Sequence, residues 1–170
     1  MNYTISKVGQ MRLEGSVDVT DPCYKKSERC RITLTGLLPG AYDCWVMGGR
    51  NGEGDRGTWG LAICHETAHV SPAALLEEDW EVVKTICVDS GLAGFFHDKP
   101  DFVGSQWGGL IDWMSAQGWG DPDGPGYFFK KLEGRDAFWA PAGYGDGAYP
   151  ASVRRDSEGR ILALRLLFEE

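Results

Sequence analysis

His65, Glu66 and His69 spell His-Glu-x-x-His. On a helix this pattern turns two imidazoles to one face and sets a carboxylate beside them to activate zinc-bound water. The flanking residues predict a different setting: Trp59 to Cys64 enters the motif as a strand, and Ser71-Pro72 closes it shortly after His69. In a strand the two histidines stand about 13 Å apart by rise alone, too far for one zinc, so the expectation is polar surface residues and not a peptidase centre. Cys23 lies beside Lys25 and Lys26, cations that would favour a reactive thiolate; His97 is the best candidate for a base. Three short acidic segments each follow a strand-like run: Asp21-Pro22-Cys23-Tyr24, Val88-Asp89-Ser90-Gly91, and Gly143 to Pro150. If the strand ends meet at one end of a sandwich, Asp21, Asp89 and Asp146 could hold a hard cation, calcium or magnesium, with glycines letting the backbone close in. Asp, Gly and Pro are equally what ordinary turns require.

The elements that must position these residues come from 170 residues, 42% of them hydrophobic, with 17 Lys and Arg against 25 Asp and Glu, a formal net charge of −8. A chain of this length fits a single domain, residues 1–170, and can bury roughly 70% of its unfolded surface. The acidic balance argues against nucleic acid and anionic membrane as partners, since both need a positive face. The apolar runs are broken well short of the ~20 residues a spanning helix needs. The N-terminus lacks the basic and apolar regions of an export signal. Cys23, Cys30, Cys44, Cys64 and Cys87 are odd in number and contain no Cys-x-x-Cys pair; reduced thiols and a cytoplasmic location are expected. Phosphate loop, dinucleotide fingerprint and serine-hydrolase elbow are all absent from the sequence.

Strands are predicted over Met11 to Val19, Arg31 to Thr35, Ala41 to Met47, Trp59 to Val70 and Trp80 to Val88. Leu38-Pro39-Gly40 forms a turn, and Gly52, Gly54 and Gly57 mark a glycine-rich connection. Ser71-Pro72 opens a short helix ending near Asp79. From Asp89 to Gly126 the composition changes: six Asp, no Glu, one Lys, nine Gly and six aromatics give this stretch five of the eight net negative charges. Trp107, Leu110, Ile111 and Met114 recur at helical spacing within it, and the remainder is expected to be loop. Asp156 to Gly159 turns a hairpin between Ala148 to Arg155 and Arg160 to Phe168, where leucines alternate with Ala163 and Arg165. The predicted fold is mainly β with minor α: an antiparallel β-sandwich or rolled sheet, one or two short helices, and a long Gly/Asp/aromatic-rich loop region.

Asp21-Pro22-Cys23-Tyr24, Val88 to Gly94 and Gly143 to Pro150, taken in that order, resemble the signature of a largely bacterial, uncharacterised family, domain of unknown function 4241. Leu92 and Ala142 depart from the family pattern, where Gln and Ser are expected. The resemblance implies no reaction, but it gives the three turns weight as one locus. The candidate ligand-binding residues are therefore Asp21, Cys23, Tyr24, Asp89, Ser90, Tyr144, Asp146 and Tyr149, joined by Trp107 and Trp113, whose flat rings suit a sugar or a partner surface. The functional expectation is a cytoplasmic β-rich binding or interaction module with an acidic, aromatic loop face. Its ligand would be a protein or small molecule, and calcium or magnesium is the only cofactor considered. The alternative is a divalent-cation-dependent hydrolase using Asp21, Asp89 and Asp146.

Overall fold

The computed structural model describes residues 3–26, 31–50, 56–121 and 123–168. Cys30, Gly52, Gly54 and Pro122 lie outside them. Among the described residues there are eleven strands: β1 (Tyr3–Leu13), β2 (Ser16–Thr20), β3 (Ile32–Thr35), β4 (Gly40–Arg50), β5 (Arg56–His65), β6 (Glu81–Val88), β7 (Leu92–Phe96), β8 (Phe128–Leu132), β9 (Arg135–Pro141), β10 (Gly147–Arg155) and β11 (Ile161–Leu167). They form two antiparallel sheets, one ordered β1-β4-β5-β11-β10-β6 and the other β3-β2-β7-β9-β8. The fold is a β-sandwich with, among the described residues, one helix, α1 (Gln106–Ala116), and one 3-10 turn, Ala73–Leu76. No helix among the described residues is long and apolar enough to cross a membrane.

Alternation along the strands sends one set of apolar residues inward. Met11, Tyr42, Cys44, Ile63, Leu164 and Leu166 of the larger sheet meet Val17, Val19, Leu34, Phe95 and Phe138 of the smaller. Each sheet is also covered on its outer face. Leu110 and Met114 of α1 sit on Leu92, Phe96, Phe128 and Trp139, while Leu75 and Trp80 cover Met47, Ala62, Cys64 and Ala163. The 3-10 turn is held from below by Arg165, whose Nη1 donates to the carbonyls of Leu75 and Glu77, both at 2.8 Å.

The predicted α1 and the β10–β11 hairpin are present where spacing and turn chemistry put them. Gly159 has φ 81°, and Asp156 accepts from the N–H groups of Glu158 and Arg160. Three expectations are corrected. Met11 to Val19 is not one strand, because Gly15 at φ 120° breaks the run and passes it from the larger sheet to the smaller. The strand entering the histidine motif stops at His65. Leu92–Phe96, expected as loop, is a central strand between β2 and β9. Every residue of β7 is buried, since both its faces are covered, and the polar/apolar alternation that marks a half-exposed strand is missing.

Candidate functional site

The three acidic turns meet at one corner of the sandwich. Asp21 ends β2 and is fully buried. Its Oδ1 accepts from the Cys23 N–H at 2.9 Å and the Ser90 hydroxyl at 2.6 Å. Its Oδ2 accepts from the N–H groups of Asp89 at 2.9 Å and Ser90 at 2.7 Å. The Tyr24 hydroxyl donates to Asp89 Oδ2 at 2.7 Å, closing the first turn on the second. The third turn abuts them: Ala142 N–H donates to the Gly91 carbonyl at 2.8 Å, and Gly147 pairs with Val88.

The chemistry of this corner is structural. A carboxylate offers about four lone-pair directions, and Asp21 has four donors on them, which leaves none for a cation. Among the described residues no group of three His, Cys, Asp or Glu side chains is placed to hold a metal ion, so Asp21, Asp89 and Asp146 do not make the expected calcium or magnesium centre. Cys23 is corrected as well: burial first, then the Asp21 carboxylate, pushes its thiol up to about 12, away from the reactive thiolate that Lys25 and Lys26 suggested. Tyr24 is likewise raised, by burial and then by its bond to Asp89. Tyr149 is buried, and its hydroxyl donates to the Gly145 carbonyl at 2.9 Å, clasping the third turn. Asp146 is exposed, as is Tyr144, whose ring meets Trp59 edge-on at 5.2 Å.

The remaining candidates are dispersed. Trp107 and Trp113 are half-buried in the contact between α1 and the smaller sheet; Trp113 packs at 6.0 Å from Phe128 and 6.1 Å from Trp139. His65 is buried and committed. Its Nε2 lies 3.0 Å from the Pro39 carbonyl, which can only accept, so that nitrogen carries the proton and Nδ1 accepts from Thr67. His69 is exposed, at φ 47°. The histidine motif is therefore a strand end and turn.

What sequence reasoning missed is a polar basin of about 990 Å³ at the edge of the smaller sheet, lined from β1 and β2 with their connection, the segment after β2, the start of β3, the segment after β7 and the β8–β9 hairpin. Arg12, Lys26, Arg31, Lys131 and Arg135 line it, with His97. Its floor is a buried pair: Arg31 Nη2 donates to Asp18 Oδ2 at 2.7 Å, and Asp18 Oδ1 accepts from the Thr33 hydroxyl at 2.6 Å. On the walls Arg135 pairs with Asp98, and Lys131 with Asp136 at 2.7 Å. Burial alone would raise the Asp136 carboxyl; hydrogen bonds from Lys131 and from the Arg12 N–H outweigh it and hold the group below the usual range. The exposed guanidinium of Arg12 has no ion-pair partner among the described residues. Period-2 spacing of Arg12 with Glu14 and of Ser16 with Asp18 was the available signal.

Between basin and corner, Lys99 is 1% exposed. Its ammonium donates to the carbonyls of Tyr24 at 2.9 Å and Pro100 at 2.8 Å and lies 4.6 Å from the Phe102 ring centre. Burial, reinforced by Arg31, brings it down from 10.5 to about 8. The unfolded chain thus binds more protons between these values, and the contribution of Lys99 to stability rises with pH across that window. Burial pushes Cys64, like Cys23, up to about 12, an opposite trend that begins near pH 9, so the lysine must be isolated by difference. Urea unfolding of the protein and of Lys99→Met from pH 7.5 to 10.5 should show the parent gaining about 3 kcal/mol relative to the variant; parallel profiles would contradict the assignment.

No protein-family model matches the chain, and comparison with curated proteins and with solved structures returns no similar protein.

Proposed function

We propose that the chain is a binding module whose ligand carries acidic groups and docks in the polar basin. The observation that carries this reading is a cavity lined by five lysines and arginines and a histidine against four carboxylates, Glu14, Asp18, Asp98 and Asp136, a small cationic excess in a protein of net charge −8. Convergent cations focus the local field and select carboxylates or phosphates by charge-assisted hydrogen bonds. Arg12 is the group best placed to engage a ligand, since Arg31, Lys131 and Arg135 already hold carboxylates. The acidic turns are less suited to this role because their donors and acceptors are spent on one another.

Titration with citrate and with inorganic phosphate tests the proposal. Binding should weaken about tenfold in Arg12→Gln, the scale of one charge-assisted bond, and should fall as salt screens the basin. Arg12 is exposed, so the variant should fold normally. Absence of binding to either anion at millimolar concentration would remove this reading.

Membership in the domain-of-unknown-function-4241 family belongs to the same proposal, supported by the meeting of its three sequence blocks at one corner. So does a cytoplasmic location, which the free thiols of Cys23, Cys44 and Cys64 support. Cys87, expected as a reduced thiol, is instead disulfide-bonded, an observation against that location.

A further inference from the structure

A second cavity, of about 350 Å³, runs along α1 where the helix meets β8. Phe102, Leu110, Trp113 and Leu132 supply its apolar surface, and Lys130 and Lys131 stand at its polar side with Glu133. Its volume lies at the small end of the range for ligand clefts. Two features of its walls are unexplained by folding.

The first is in the helix. Gly108 and Gly109 sit inside α1, where each glycine costs about 1 kcal/mol relative to alanine. A Cβ built on either meets nothing within 4 Å, so no neighbouring residue requires a glycine there. Gly109 lines the cavity, and its missing side chain keeps the helix wall open. The second feature is charge. The Lys130 ammonium lies 4.7 Å from the centre of the Trp113 ring and has no carboxylate ion pair among the described residues, whereas Lys131 is held by Asp136. A cation above an indole at the lip of an apolar cleft complements a ligand with a flat apolar body and one negative charge.

We infer that this cleft is a binding site for a small planar aromatic carboxylate, its ring between Phe102 and Trp113 and its carboxylate on Lys130. The walls of the cleft suffice for this site without any occupant of the basin.

The test uses the whole protein with 1-naphthoate, and 1-naphthamide as its uncharged counterpart, read by tryptophan fluorescence and confirmed by calorimetry. Naphthoate should bind at least about tenfold more tightly than naphthamide, and Lys130→Gln should erase most of that difference. Gly109→Leu should abolish binding of both probes while leaving the melting temperature equal or higher, because leucine favours the helix and fills the cleft. A folded Gly109→Leu protein that binds naphthoate like the parent would overturn the site. Equal affinity of the parent for the two probes would overturn the assignment of Lys130. Unchanged citrate binding in Gly109→Leu would show that any loss is local to this cleft.

Discussion

Replacing Asp21 with alanine is expected to cost about 4 kcal/mol or more, measured as a loss in urea unfolding free energy. Four donors lose their acceptor at once, three of them backbone N–H groups in turns that cannot rotate away. Hydrogen bonds to a charged partner contribute about 1.5–3 kcal/mol each, and a buried donor left unmet costs a similar amount; the bonds share one carboxylate and will not add fully. Asp21→Asn should recover little, because its amide nitrogen would face donors with a donor. A destabilisation below about 1 kcal/mol in Asp21→Ala would show that water replaces the carboxylate and that the corner is not held by it.

Gly94→Ala should cost about 3 kcal/mol or more, at the upper end of what overpacking does. Gly94 sits in mid-strand opposite Trp139, and a Cβ there would lie 2.2 Å from the Phe138 carbonyl oxygen and 2.5 Å from the Trp139 Cα. Both are backbone atoms of the paired strand, so neither can swing aside as a side-chain tip would. Relief requires prising β7 from β9 in the middle of the smaller sheet. A melting temperature within a degree of the parent would refute so tight an approach.

These two residues also show what could be read in advance. The convergence of the three turns is legible in their placement after strand-like runs, and the structure brings them together. The use made of Asp21 is not, since three of its four donors come from Asp89 and Ser90, nearly seventy positions further along the chain, and a turn aspartate looks the same whether it caps its own turn or clasps another. β7 is hidden by the Gly- and Asp-rich composition of residues 89–126, which reads as loop, although Gly94 answers to contact with β9 and not to a bend. The β10–β11 hairpin and α1 were legible because their information is local: a turn with its own glycine, and apolar residues at helical intervals. The β8–β9 hairpin carries a local signal too, Glu133 and Gly134 at φ 52° and 77°, a turn geometry that joins tight antiparallel pairs. Of the two tryptophans whose flat rings suit a ligand surface, Trp107 meets Phe102, and Trp113 packs on Phe128 and Trp139, joining helix to sheet while it also lines the cleft. The basin stayed hidden because its residues come from five separate stretches, in each of which a charged side chain looks like ordinary solvated edge.

Lys131 stands in the wall of both cavities, the basin and the cleft beside the helix. Its ammonium is already held by Asp136 and offers neither occupant a full counter-charge, so acidic occupants on the two sides of this one residue would repel each other. Thermodynamic linkage then requires the antagonism to be mutual, each occupant weakening the other by the same factor.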